Sequence, residues 1–293
     1  MKKYIKNLAG FFVLLFIIST ALYLVSTRNF HEEVFNKGNV YKNAEEINKI
    51  KDNVGRAKYI VNYFKTIGIS PAAGNDSFIQ EFKTINKASD KPEDTVNVLG
   101  KIQGKDKSEG YLILSSHVDG NAAETALILE IARVMKSQKY KPEKTVVFAL
   151  WGDSEQSLKG SEYYTENPSF PLNKSQVILI DNFGKDICKN LFMITYGETG
   201  RALMGKLSSY SKFNGFSTAA NENIYGNDDE AFLLKDVPAV LIQGDSKGNF
   251  WGDEKGAVYK DGVTTASSVL LNYIHRDIYK DNFHGLLSYS EMV

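Results

Sequence analysis

The sequence predicts an α/β protein: a three-layer α/β/α domain on a central mixed, mostly parallel sheet, preceded by one N-terminal transmembrane helix. Three observations predict it. From residue 96 onward, short strand patterns alternate with helical ones, the order expected of a sheet covered on both faces. Residues 145–151, apolar after Thr145, and 177–180 read as strands buried on both sides. An uncharged run, residues 8–25, follows three lysines, Lys2, Lys3 and Lys6.

That run spans roughly 27 Å at 1.5 Å per residue, enough to cross the hydrocarbon of a bilayer. Its basic flank belongs on the cytoplasmic side, which puts the body of the chain outside the cytoplasm. The expected organisation is a cytoplasmic tail at residues 1–7, a signal anchor at 8–26, a stalk at 27–43 and one domain at 44–293. A cleaved signal peptide is the competing reading. The apolar run exceeds a usual signal core, however, and its exit, residues 25–28, lacks a small-x-small site.

Within the body, residues 29–43 are polar and show no apolar period. Ile47, Ile50, Val54, Ala57, Ile60, Val61 and Phe64 recur at helical spacing, predicting one helix over 44–67 that stops at Gly68. A short strand at 78–83 is followed by a polar, proline-containing loop at 87–93. Strands are expected at 96–102 and 111–116, a helix at 122–137, a strand at 145–151 and a short helix around 161–164. Strands at 177–180 and 191–196, a helix at 201–210, a strand at 239–242 and a closing helix at 264–279 complete the pattern.

Composition narrows the function. The chain has 293 residues, with Lys+Arg 35 balanced by Asp+Glu 35, so the cationic excess that nucleic-acid binding needs is missing. A single cysteine, Cys188, excludes an internal disulfide and a thiolate metal cluster. Any metal must be held by histidine and carboxylates.

Functional groups in such sheets gather beyond the carboxyl ends of the strands. Three strands here end in candidate ligands: 111–116 runs into His117 and Asp119, 145–151 into Asp153, Ser154 and Glu155, and 177–180 into Asp181. An imidazole with carboxylates suits zinc, and a carboxylate two residues from the histidine is placed to hold its other ring nitrogen. Taken singly, a histidine after a strand is more often a hydrogen-bonded structural residue, and an Asp or Glu there a helix cap.

On these residues the chain resembles the co-catalytic zinc aminopeptidases, a family that includes bacterial leucine aminopeptidases, glutaminyl cyclases, glutamate carboxypeptidase and the transferrin receptor ectodomain. Residues 97–105 look like its entry strand and 111–119 like its His-x-Asp strand. Residues 156–164 look like the stretch after its paired glutamates, 181–184 like its Asp-Met-x-Gly turn, and 227–239 like its late substrate-pocket loop. The resemblance implies His117 as first zinc ligand, Asp119 as the carboxylate orienting it, Glu155 as ligand to the other zinc and Asp181 as partner of His117.

Other positions depart from the family. The loop that carries the bridging aspartate is shortened, so that position reads as Gly120. Ser154 stands at the general-base position, and a neutral hydroxyl does not take a proton from water as a carboxylate does. The last histidine ligand is missing, with Asp253 the available substitute; His275 and His284 fall within and beyond the closing helix. A shifted alignment makes Asp153 or Glu155 the base but breaks the match at 156–161. Two zinc ions need a shared anionic ligand, so the resemblance leaves zinc as one ion or none. The expectation is a membrane-anchored, extracytoplasmic aminopeptidase-like protein that holds a peptide or protein ligand without ordinary two-zinc hydrolysis. A one-metal exopeptidase is the alternative.

Overall fold

The computed structural model describes residues 16, 18–19, 35–86, 89–120, 122–137, 141–153, 158–181, 190–213, 217–221, 227–244 and 260–278. The chain divides into two compact units, Met1–Asn36 and Lys37–Val293. Apart from residues 16, 18 and 19, the expected tail and anchor lie outside the described residues, among which no helix is long and apolar enough to cross a membrane.

The second unit opens with two helices, α1 (Lys37–Lys49) and α2 (Asn53–Thr66), where the apolar period alone predicts one. Asp52 separates them. It is extended and its carboxylate accepts the Gly55 amide at 2.7 Å, the N-cap bond that starts a new helix. Residues 37–43 form the first turns of α1, which buries Val40, Asn43, Ala44 and Ile47. In α2, Ala57, Ile60 and Phe64 face the sheet. Phe64 lies so close under Gly100 that a Cβ there would come within 2.9 Å of its ring, so only glycine admits that approach.

Nine strands form one sheet among the described residues: β1 (Ser70–Pro71), β2 (Ile79–Asn86), β3 (Lys91–Ile102), β4 (Tyr111–His117), β5 (Thr145–Trp151), β6 (Ser175–Ile180), β7 (Asn190–Ile194), β8 (Ser217–Asn221) and β9 (Ala239–Gly244). Their order is β1-β3-β5-β4-β6-β9-β7-β8, with β2 also paired to β3. The sheet is mixed rather than mostly parallel. The pairs β5/β4, β4/β6, β6/β9 and β7/β8 are parallel, whereas β1/β3, β2/β3, β3/β5 and β7/β9 are antiparallel.

The loop expected at 87–93 is shorter, because Lys91, Pro92 and Glu93 already pair with Asn86, Ile85 and Thr84 in a β2–β3 hairpin. Pro92 fits there because β5 pairs only with Val98–Ile102 of β3, leaving the proline away from the interior ladder.

Helices α3 (Ala122–Ser137), α4 (Lys159–Glu166), α5 (Gly197–Phe213), α6 (Asp229–Leu233) and α7 (Lys260–Tyr273) complete the domain, α7 running into a π-helical turn at Ile274–Ile278. Every residue of β4 and β5 is buried. Ile113, Val147, Trp151 and Val177 join Tyr164 of α4 and Phe232 of α6 in one core cluster. The parallel register pairs His117 with Trp151, so β4 and β5 finish side by side, and Asp181 follows the last residue of β6.

Candidate functional site

His117 is the last residue of β4 and 4% exposed. Alternation along the strand puts it on the face of Ile113, the face that carries Trp151 and the core cluster. Its backbone is held closely: Val118 N donates to Trp151 O at 2.7 Å, continuing the ladder, and the Thr125 hydroxyl of α3 donates to His117 O at 2.6 Å.

Both ring nitrogens face carboxylates. Nε2 lies 2.6 Å from Asp228 Oδ2, and Nδ1 lies 3.6 Å from Asp181 Oδ1. Asn227 links the two acids, donating through its amide to Asp181 Oδ2 at 2.8 Å and accepting the Asp228 amide at 2.7 Å. Asp181 is set by its own N–H, which donates to Ile242 O of β9 at 3.1 Å. The residues thus come from the ends of β4 and β6 and from the turn before α6.

Burial disfavours the charged imidazole, but Asp181, Asp228 and its hydrogen bond, and Asp119 outweigh it and push the His117 pKa up to about 10. At neutral pH His117 is therefore an imidazolium. Next to it, burial raises the Asp229 carboxyl to about 7; its own backbone N–H opposes that, and the charges of Asp228, Glu230 and Asp181 add to it. Asp228 Oδ1 and Asp229 Oδ1 are buried and have no hydrogen-bond partner among the described residues.

Of the residues singled out in the sequence, His117 and Asp181 meet. Asp119 is half-buried and acts on the ring through its charge. Ser154, Glu155 and Asp253 lie outside the described residues. Asp153, the base of the shifted alignment, is 4% exposed, and its Oδ2 accepts the Thr84 hydroxyl of β2 at 2.6 Å. Its carboxylate is tied into the hairpin. At Gly120 a Cβ would stand 3.0 Å from His117 Cβ and 3.2 Å from Nδ1, so the turn is folded directly against the imidazole.

Sequence reasoning missed three participants. Asp228 and Asp229 fall in the stretch 227–239 that resembles the family's substrate-pocket loop, but neither is singled out there as a partner of His117. Arg56 of α2 is not among the residues singled out in the sequence, yet its Nη1 donates to Gly120 O at 2.9 Å. No local pattern marks it.

Solved structures share the fold. The chain shares its fold with the LapA aminopeptidase of Legionella pneumophila (TM-score 0.66, 16% identity, covering 87% of this chain and 75% of that one). It is also similar to the glutaminyl cyclase of Porphyromonas gingivalis (TM-score 0.64, 15% identity, 83% of this chain and 99% of that one). In sequence it is 34% identical over 96 residues to the aminopeptidase NAALADL1 of Rattus norvegicus, a stretch covering 29% of this chain and only 13% of the relative's length. Residues 97–266, more than half of the chain, match peptidase family M28, and the chain belongs to that family.

The family and its solved zinc aminopeptidases imply zinc. Coordination needs a neutral imidazole with a free lone pair. Here Nε2 lies against the Asp228 carboxylate at 2.6 Å and Nδ1 stands 3.6 Å from Asp181, and no group of three or more His, Cys, Asp or Glu among the described residues is arranged to hold a metal. Among the described residues alone the donor set for the ion is incomplete, and Glu155 and Asp253, the other expected ligands, lie outside them.

Proposed function

We propose that this is a membrane-anchored M28 protein whose domain stands outside the cytoplasm and binds a peptide or protein ligand without ordinary two-zinc hydrolysis. The His117–Asp228 ion pair carries this reading. Nε2, a nitrogen that would face a metal, lies 2.6 Å from the buried Asp228 carboxylate. The turn at Gly120, packed on the same ring, has no room for a bridging side chain without a shift. Ser154 in place of the base points the same way. The anchor rests on Lys2, Lys3, Lys6 and the uncharged run 8–25.

A second reading, a one-metal exopeptidase, is favoured by one observation: Asp228 Oδ1 is buried, unpaired among the described residues and adjacent to His117. The full chain, purified in detergent and supplied with zinc, separates the two by metal analysis and by amino-acid release from short peptides. The binding reading requires neither bound zinc nor turnover. Stoichiometric zinc with turnover lost in His117→Ala would overturn it. Retention of the chain in membranes after alkaline extraction, lost on deleting residues 8–26, tests the anchor.

A further inference from the structure

We propose that Arg56 is a positioning residue for His117, acting through the turn that follows it. Past the end of β4 the carbonyls of Val118 and Gly120 accept from a side chain on another helix, as backbone groups leaving a strand ladder must find partners elsewhere. Arg56 of α2 is that donor. Its Nη1 donates to Gly120 O at 2.9 Å and points at Val118 O at 3.5 Å, while its Nε donates to Ile50 O at 3.1 Å in the link between α1 and α2. A guanidinium is a rigid fork with donors on separate atoms, so it ties the interhelical link and the site turn into one unit.

The consequence reaches the imidazole because of Gly120. The turn is packed so tightly on His117 that even a Cβ at Gly120 would press on the ring. Gly120 therefore forms one wall of the ring's seat, with Asp228 at Nε2 and Asp181 at Nδ1. Arg56 holds that wall from behind. Without it the turn is free to lift, and the ring loses the support that keeps Nε2 against Asp228. This role holds whether or not the domain hydrolyses anything.

The readout is the downfield imidazole proton of His117 bound to Asp228, observed by NMR on the full chain in chelator-containing buffer and assigned by its loss in His117→Gln. In Arg56→Ala its exchange with solvent is expected to rise at least about tenfold, while amides of β6 exchange as before. Arg56→Lys, which keeps one donor for Gly120, restores part of the protection. Lys58→Ala on the same helix changes nothing. An unchanged ring proton in folded Arg56→Ala, an equal rise in Lys58→Ala, or an equal rise across β6 overturns the proposal. If Arg56→Ala does not fold, Arg56→Lys decides: faster ring exchange with unchanged β6 supports it, and wild-type exchange overturns it.

Discussion

His117 Nε2 and Asp228 Oδ2 lie 2.6 Å apart, with side chains only 5% and 0% exposed, in a pair that joins the end of β4 to the turn before α6. Removing one member of a buried ion pair leaves the other charge without compensation and costs about 3–5 kcal/mol. Asp228→Ala should lose stability of that order in urea unfolding. Combined with His117→Gln it should lose clearly less than the sum of the two single changes. Strict additivity would mean that the contact contributes nothing.

The same pair makes stability pH-dependent. His117 titrates near 6.5 when unfolded and about 10 when folded. Its contribution is therefore fully present below about pH 6.5 and is lost as pH climbs towards 10. The urea midpoint of the wild type should fall across that window more steeply than that of His117→Gln. Parallel curves for the two proteins would contradict the assignment.

Asp229 behaves differently because burial opposes its charge. Its folded pKa of about 7 lies above the ordinary 3.8, so stability is retained below about pH 4 and lost as pH rises through 7. Asp229→Asn should therefore stabilise the protein at pH 8, by on the order of 1–3 kcal/mol, with the gain vanishing near pH 4. Thermal melts at the two pH values check this, and a gain that persists at the acid end counts against it.

Gly120 tests how firmly the turn is set against the ring. Gly120→Ala should cost about 1–3 kcal/mol, as overpacking does, since its methyl would sit 3.0 Å from His117 Cβ. Gly120→Asp restores the residue type of the family's bridge without restoring space for it. Its zinc content by elemental analysis should equal that of the parent, and one additional equivalent of zinc would refute the packing argument.

Thr84 donates to Asp153 at 2.6 Å where both are buried. Thr84→Val keeps the shape and removes the donor, so it should cost about 1–3 kcal/mol. Urea unfolding measures the loss. A neutral result would mean that the hairpin does not brace the end of β5.

Much of the fold was readable because the strands that build it are unusual locally. Residues 146–151 and 177–180 are apolar without interruption, and the only economical place for such segments is the middle of a covered sheet. Where the pattern misled, the cause was local chemistry that periodicity does not report. Asp52 caps a new helix inside an unbroken apolar period. Pro92 sits in a strand because the hairpin carries it past the β5 ladder. The flanking strands are antiparallel, which no single segment reveals.

By itself the sequence determined the α/β class and the candidacy of His117 and Asp181, since each follows from apolar pattern or from residues at strand ends. Only the tertiary structure decided what surrounds that histidine. Asp228 lies 111 positions away and Arg56 stands on a separate helix, yet one takes Nε2 and the other holds the turn behind the ring. Strand ends announce themselves through local pattern. The partners of a buried charge are chosen by proximity in the folded state, and a sequence carries no local mark of which distant carboxylate will fill that place.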